Sequence, residues 1–177
     1  MVTEIVQILR ECGAVEYGDF VLASGERSTY YLDIKKVITH PHALQRIAAL
    51  IAKRYDFDVV AGVAVGGVPL AVAVSLESRK PFAIIRSQEK EHGKAGKIIG
   101  DVERKRVLLV EDVTTSGGSV LRGTNALREA GAHVDTVVVV VDREAGAGEN
   151  LARQGIKLEP LARASDILGV PGENSNR

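Results

Sequence analysis

The sequence predicts an α/β fold, a doubly wound and mainly parallel sheet with a small N-terminal hood. Three observations carry that expectation. From Asp58 onward, short β-branched runs alternate with helix-compatible segments, the pattern of a parallel sheet covered on both faces. The run 107–110 is wholly apolar, too short for a helix, and ends in two carboxylates. Ahead of the alternation, two β-like segments stand together as a hairpin. The chain of 177 residues, 45% hydrophobic and 26% charged, is long enough to bury a core without staples. It reads as one domain over 1–177, with an N-terminal helix and hood at 1–36, an α/β core at 37–171 and a frayed polar tail at 172–177.

The elements follow in order. Thr3 caps a short helix that places Ile5, Ile8, Leu9 and Cys12 on one face, and Gly13 is placed to stop it. Strands at 19–22 and 29–34 form the hood. Pro41 opens a helix in which Leu44, Ile47, Ala48 and Ile51 recur at helical spacing. Core strands are expected at 58–63, 82–86, 106–111 and 134–141, with a further one at 157–160. Helices are expected at 67–77, 118–130 and 147–154.

Composition narrows the function classes. Lys plus Arg and Asp plus Glu both number 23, so the net charge is zero and the basic excess of a duplex-binding protein is missing. Cys12 is the only cysteine, which excludes an internal disulfide and a multi-cysteine zinc site and suits a reducing compartment. The longest run of Val, Leu or Ile, 137–141, is far short of the roughly 20 residues that cross a bilayer. The start lacks a basic region followed by an apolar one, so no secretory leader is indicated and a cytoplasmic location is expected. His40, His42 and His133 lack ligand spacing and read as surface or capping residues.

The chemistry concentrates after the strand at 107–110. Glu111 and Asp112 come first, then Val113, then Thr114, Thr115, Ser116, Gly117, Gly118 and Ser119 before the helix. A small, hydroxyl-rich strand-to-helix turn presents N–H groups and the positive end of the helix dipole, a seat for a phosphate monoester. Carboxylates repel phosphate, so the acidic pair suits sugar hydroxyls about one ribose away. Gly66 and Gly67 open a second such turn after the strand near Val63, where backbone amides can approach an anion closely. Packing alone is the plain alternative for those two glycines.

Residues 111–119 resemble the 5-phosphoribosyl-1-diphosphate (PRPP) signature of the type I phosphoribosyltransferases, and the likeness runs from the hood through Arg143. It implies PRPP binding by Glu111 through Ser119 and by Gly66 and Gly67 on the diphosphate loop. The segment 86–97 is charged and aperiodic, as a solvated loop would be. Its Arg86, and its Lys90 and His92 in a Lys-x-His-Gly pattern, are similar to the mobile catalytic loop of the orotate phosphoribosyltransferases. In that family the loop closes on pyrophosphate in the neighbouring subunit of a dimer, so the resemblance implies a homodimer. Lys90, His92, Glu111 and Asp112 are the catalytic residues it implies. The family often carries Lys where this chain has Ser87 and Ala23; Lys35 or Lys36 would have to replace the second contact, or it is absent.

The resemblance further implies that Ser24, Gly25, Tyr30 and Tyr31 lie over the base, that Thr115 touches it, and that Arg143 takes the orotate carboxylate. As alternatives, the tyrosines are ordinary strand residues and Arg143 is a surface partner of Asp142 or Glu144. The implied reaction joins orotate and PRPP to give orotidine 5′-monophosphate and pyrophosphate in pyrimidine nucleotide synthesis. Mg²⁺ would be held mainly by PRPP, without a dedicated protein site. Two rivals share the signature at 111–119: a purine phosphoribosyltransferase, and a PRPP-sensing regulator of transcription. Lys90, His92 and Arg143 favour the acidic pyrimidine. Zero net charge and the short stretch before the hood speak against a regulator and against nucleic-acid or membrane partners.

Overall fold

The computed structural model describes residues 2–21, 27–86 and 97–169. Its centre is a six-stranded sheet of β3 (Val59–Val63), β4 (Phe82–Ile85), β5 (Ile98–Ile99), β6 (Val107–Thr114), β7 (Thr136–Asp142) and β8 (Lys157–Arg163), in the order β5-β4-β3-β6-β7-β8. All pairings are parallel except β4 with β5. The hood hairpin, β1 (Val15–Val21) and β2 (Arg27–Leu32), forms a separate antiparallel sheet with a register shift between Tyr17 and Phe20. It begins earlier than the 19–22 expected, and its second strand ends before Asp33, whose carboxylate accepts the Lys35 amide ahead of a short helix, α2 (Lys35–Ile38).

Both faces are covered, as the unbroken apolar strands require. On one face Val60, Leu108, Val110, Val138 and Val140 pack with α1 (Val2–Glu11), α2, α3 (Pro41–Arg54), α4 (Gly67–Ser78) and α7 (Ala164–Gly169). Val59, Ala61, Val63, Leu109, Val137 and Val139 face the other way, against α5 (Gly118–Glu129) and α6 (Ala147–Ala152). The chain runs from β3 outward to β4, then crosses back to β6 on the other side of β3. The loops after β3 and β6 therefore diverge, and the crevice between them is where an open α/β sheet binds ligands.

Several boundaries depart from expectation for local reasons. β6 continues through Thr114 rather than stopping near 111, because Glu111, Val113 and Thr114 pair with Val139, Val141 and Asp142 of β7. β8 runs to Arg163 and tolerates Pro160 because β7 is its sole neighbour among the described residues. Helix α6 stops at Ala152, short of 154. The two-residue β5 and the short helices α2 and α7 offer too few residues for a periodic signal.

At the opposite end of the strands, Arg106 binds Asp56 at 2.8 Å and Asp58 at 2.9 Å, and its amide donates to Asp58 Oδ2. Lys80 reaches Asp56 and the carbonyl of Phe57. This network ties the start of β3 to the start of β6, the two strands that flank the crevice. The guanidinium holds the Asp58 carboxyl well below the usual carboxylate range.

The layer arrangement sets an expected contrast. Leu109 has no exposure, whereas Leu76 on α4 is 76% exposed. Leu109→Ala should cost about 2–5 kcal/mol in urea unfolding, and Leu76→Ala about 0.5 kcal/mol or less.

Candidate active site

The crevice is built on very close backbone approach. A Cβ on Gly62 would lie 2.1 Å from the Gly67 carbonyl oxygen, so the end of β3 and the start of α4 pack main chain to main chain. A Cβ on Gly66 would lie 2.5 Å from the Asp112 carboxyl group. The loop after β3 thus touches the acidic pair at the end of β6 directly. Its amide-rich turn remains open to solvent at Val65, and the Ala64–Val65 peptide is cis.

Glu111 and Asp112 are 5% and 7% exposed. Their side chains fold back onto the strand: Asp112 N donates to Glu111 Oε1 at 3.1 Å, and Val113 N donates to Asp112 Oδ1 at 2.8 Å. No Lys or Arg pairs with either carboxylate among the described residues. Burial, with the Asp112 carboxyl alongside, pushes Glu111 up to about 8.

Beyond the pair, Thr114 stays in the strand with a buried hydroxyl that has no partner among the described residues. The turn proper starts at Thr115 and Ser116, both exposed. Gly117 has φ +83°, a left-handed conformation suited to glycine, and α5 starts at the next residue. Asn150 on α6 donates to the Ser116 carbonyl and fixes the turn from the side. Twelve residues of α5 stand behind it, so its N–H groups can cradle a phosphate.

Arg143 follows β7 at the same edge, its amide donating to the Thr114 carbonyl. Its guanidinium binds neither Asp142 nor Glu144. Nη2 donates to the Leu32 carbonyl at 3.1 Å, bridging core and hood, and Nε is buried without a partner among the described residues. Asp142 instead accepts the Glu144 amide, and the Glu144 carboxylate binds Ser165. In the hood the tyrosines part ways: Tyr30 packs against the core, while Tyr31 is 42% exposed and stacks 5.6 Å from Phe20. Lys36 is tied to Glu16 and the Gly13 carbonyl, so of the two lysines weighed as replacements for the cation missing at Ala23 only Lys35 is left.

The crevice brings together Gly66, Gly67, Glu111 through Ser119 and Arg143. Arg86 ends β4, its amide bonded to the Lys97 carbonyl across the base of 87–96. Ser24, Gly25, Ser87, Lys90 and His92 lie outside the described residues. One feature escaped the sequence reading: Asn150, which holds the turn from the side, belongs to no motif.

Comparison with known proteins agrees with this geometry. The family described as "Phosphoribosyl transferase domain" matches residues 33–161. The orotate phosphoribosyltransferase of Methanoculleus marisnigri is 62% identical over 168 residues, 95% of this chain and 99% of that protein. The crystal structure of the Aeropyrum pernix orotate phosphoribosyltransferase superposes with a TM-score of 0.82 at 36% identity, covering 93% of this chain and 96% of that one. The Mycobacterium tuberculosis orotate phosphoribosyltransferase, solved in complex with PRPP, gives a TM-score of 0.74 at 28% identity over 94% and 98% of the two chains.

The buried pair makes a pH prediction. Glu111 keeps its proton in the folded chain up to about 8, whereas the unfolded chain releases it near the ordinary value of 4.5. Between these values the folded state binds more protons, so this group's contribution to stability is present at low pH and is lost as pH rises through the window. Glu111→Gln should remove that loss. Its unfolding free energy relative to wild type should rise between about pH 5 and about pH 8 in paired urea titrations.

Proposed function

The chain belongs to the phosphoribosyltransferase family, in its orotate phosphoribosyltransferase branch, and from that premise we propose that it transfers the 5-phosphoribosyl group of PRPP to orotate. The N1 atom of orotate bonds to C1 of the ribose as the C1–O bond to diphosphate breaks, giving orotidine 5′-monophosphate and pyrophosphate for pyrimidine nucleotide synthesis. The observation that carries this reading is the buried Glu111–Asp112 pair, set between two backbone cradles at one switch point. Thr115 to Ser119 take the 5′-phosphate, Gly66 and Gly67 line the diphosphate side, and the acidic pair holds the ribose hydroxyls. As C1 loses its leaving group, positive charge grows on the sugar. The fixed Asp112 carboxylate favours that charge in a dry site without reorganising.

Mg²⁺ enters with PRPP as part of the substrate. A small hard cation suits phosphate oxygens. Arg143 meets the orotate carboxylate with the guanidinium donors it does not spend on Leu32, under a hood carrying Ser24, Gly25, Tyr30 and Tyr31. Arg86, Lys90 and His92 act on the leaving diphosphate; for the latter two the support is the motif alone. No helix among the described residues is long and apolar enough to cross a membrane, and a cytoplasmic setting fits soluble, charged substrates.

A homodimer has support from α4. Val68, Val72 and Leu76 recur at helical spacing on its outer side, Leu76 76% exposed. Phe82 pairs in register with Val60, and Ile84 with Ile99, which continues the apolar surface along the sheet edge on the same side. A surface of this kind marks a protein contact, and it adjoins the base of 86–97.

Pyrophosphate release from PRPP, Mg²⁺ and a base tests the reaction, with uracil, hypoxanthine and adenine beside orotate. Orotate alone should turn over well. Arg143→Ala should raise the orotate KM at least roughly thirtyfold, about 2 kcal/mol, and the PRPP KM far less. Equal weakening of both would make Arg143 structural and reopen the purine alternative.

If Lys90 serves the adjacent site, mixing Lys90→Ala with Asp112→Asn should restore about a quarter of wild-type activity. Random exchange makes about half of the dimers hybrid, each with one intact site of two. No recovery in hybrids confirmed by native mass spectrometry would mean that each chain closes its own site.

A further inference from the structure

Two buried carboxyl groups cannot both be ionised and still bond to each other, because a carboxylate offers acceptors only. Glu111 and Asp112 do bond to each other through their side chains, at 5% and 7% exposure. One proton therefore belongs to the pair, and the geometry around it decides which residue holds it. Asp112 is the better seat for charge. Its Oδ1 accepts the Val113 amide at 2.8 Å, whereas Glu111 Oε1 accepts the Asp112 amide at 3.1 Å. A Cβ on Gly66 would lie 2.5 Å from Asp112 Oδ2 and 2.6 Å from Oδ1, so this carboxyl group lies against the N-cap residue of α4. The twelve residues of that helix turn their positive end toward it.

The surroundings of Glu111 supply nothing comparable. β6 packs against β3, β7, α4 and α5. Val139 stands beside Glu111 in register on β7, and β3 has no charged residue. Glu77 of α4 lies at the far end of that helix, Arg122, Arg128 and Glu129 belong to α5, and Asp142 ends β7 with Arg143 next to it. None of these bonds to Glu111 or sets its charge; the neighbour that does is Asp112. Burial and that neighbour keep Glu111 protonated up to about 8.

We propose that Glu111 serves the reaction as a neutral hydrogen-bond donor that keeps its proton throughout, while Asp112 alone carries the negative charge. This role deepens the phosphoribosyl transfer proposed above and rests on it. A ribose hydroxyl both accepts and donates. An acid beside a carboxylate reads it twice: the Glu111 O–H donates to the hydroxyl oxygen, and the hydroxyl proton goes to Asp112. Two carboxylates could only accept, and would leave the hydroxyl lone pairs unmet in a buried site. No proton changes hands, so neither the base nor the leaving diphosphate takes one from this pair. One full charge also matches the single positive charge that grows on the sugar, and a second would repel the phosphates of the substrate.

Calorimetric titration of ribose 5-phosphate, which needs neither base nor turnover, reads the proton. A phosphate monoester loses its last proton near about pH 6, so the ligand itself does not change between about pH 7 and about pH 9.5. Wild-type affinity should fall at least about fivefold across that range. Binding at about pH 8.5 should take up roughly half a proton or more, read from two buffers of unlike ionisation enthalpy. Glu111→Gln keeps a donor but cannot titrate, so its affinity should be flat over the range with no proton taken up. Carbon-13 NMR of the carboxyl carbons, without ligand, should show the acid form of Glu111 at about pH 7 and its loss as pH rises through about 8. A carboxylate signal at about pH 7 overturns the proposal. So does a wild-type affinity that ignores pH, or a pH dependence in Glu111→Gln as large as in wild type. If wild type binds no ribose 5-phosphate at any pH, the phosphoribosyl reading fails and the donor role with it, while the NMR signal still tells a shared proton from two carboxylates.

Discussion

Everything at the ligand end of this molecule depends on one packing constraint, the contact of bare backbone where α4 meets the ends of β3 and β6. At Gly62 the space for a side chain is taken by the Gly67 carbonyl, and at Gly66 by the Asp112 carboxyl. A side chain at either place would push the helix or the carboxylate away. Because none is present, the loop after β3 lies directly against the acidic pair of β6. The ion network of Arg106, Asp56 and Asp58 holds the same two strands at their other ends. The crevice is thus fixed from both sides before any ligand arrives.

Charge is then distributed by depth. The acidic groups, Glu111 and Asp112, are buried and strapped to their own backbone. Positive groups stand around the rim, on Arg86, Lys97, Arg122 and Arg143. In the proposed reaction, backbone amides at the two turns meet much of the substrate's charge without long side chains that would need to be ordered.

Much of this was legible in the sequence. The β-then-α rhythm from Asp58 predicted the doubly wound sheet, and the run into Glu111 and Asp112 marked the crevice. The strand's length was not legible, because pairing of Val113 and Thr114 with β7 is a tertiary fact that overrides their turn-like composition. The short elements α2, β5 and α7 were hidden by their size. Helix α4 could have revealed more: it is apolar on all sides, as only a helix covered on all sides should be. Arg143 was singled out for its place after β7, but its bond to Leu32 depends on the hood folding across the core, which no local pattern encodes.

The two edges of the large sheet differ from its faces in what they permit. One edge is closed by β5, only two residues long and antiparallel. The other, β8, carries Pro160, which has no N–H to offer a further strand, and is flanked by Arg54, Lys157 and Glu159 in ion pairs. An unpaired strand edge is the usual template for runaway aggregation. This sheet offers little purchase at either side, so crowding should drive copies together through their apolar helix surface and not by growing an endless ribbon.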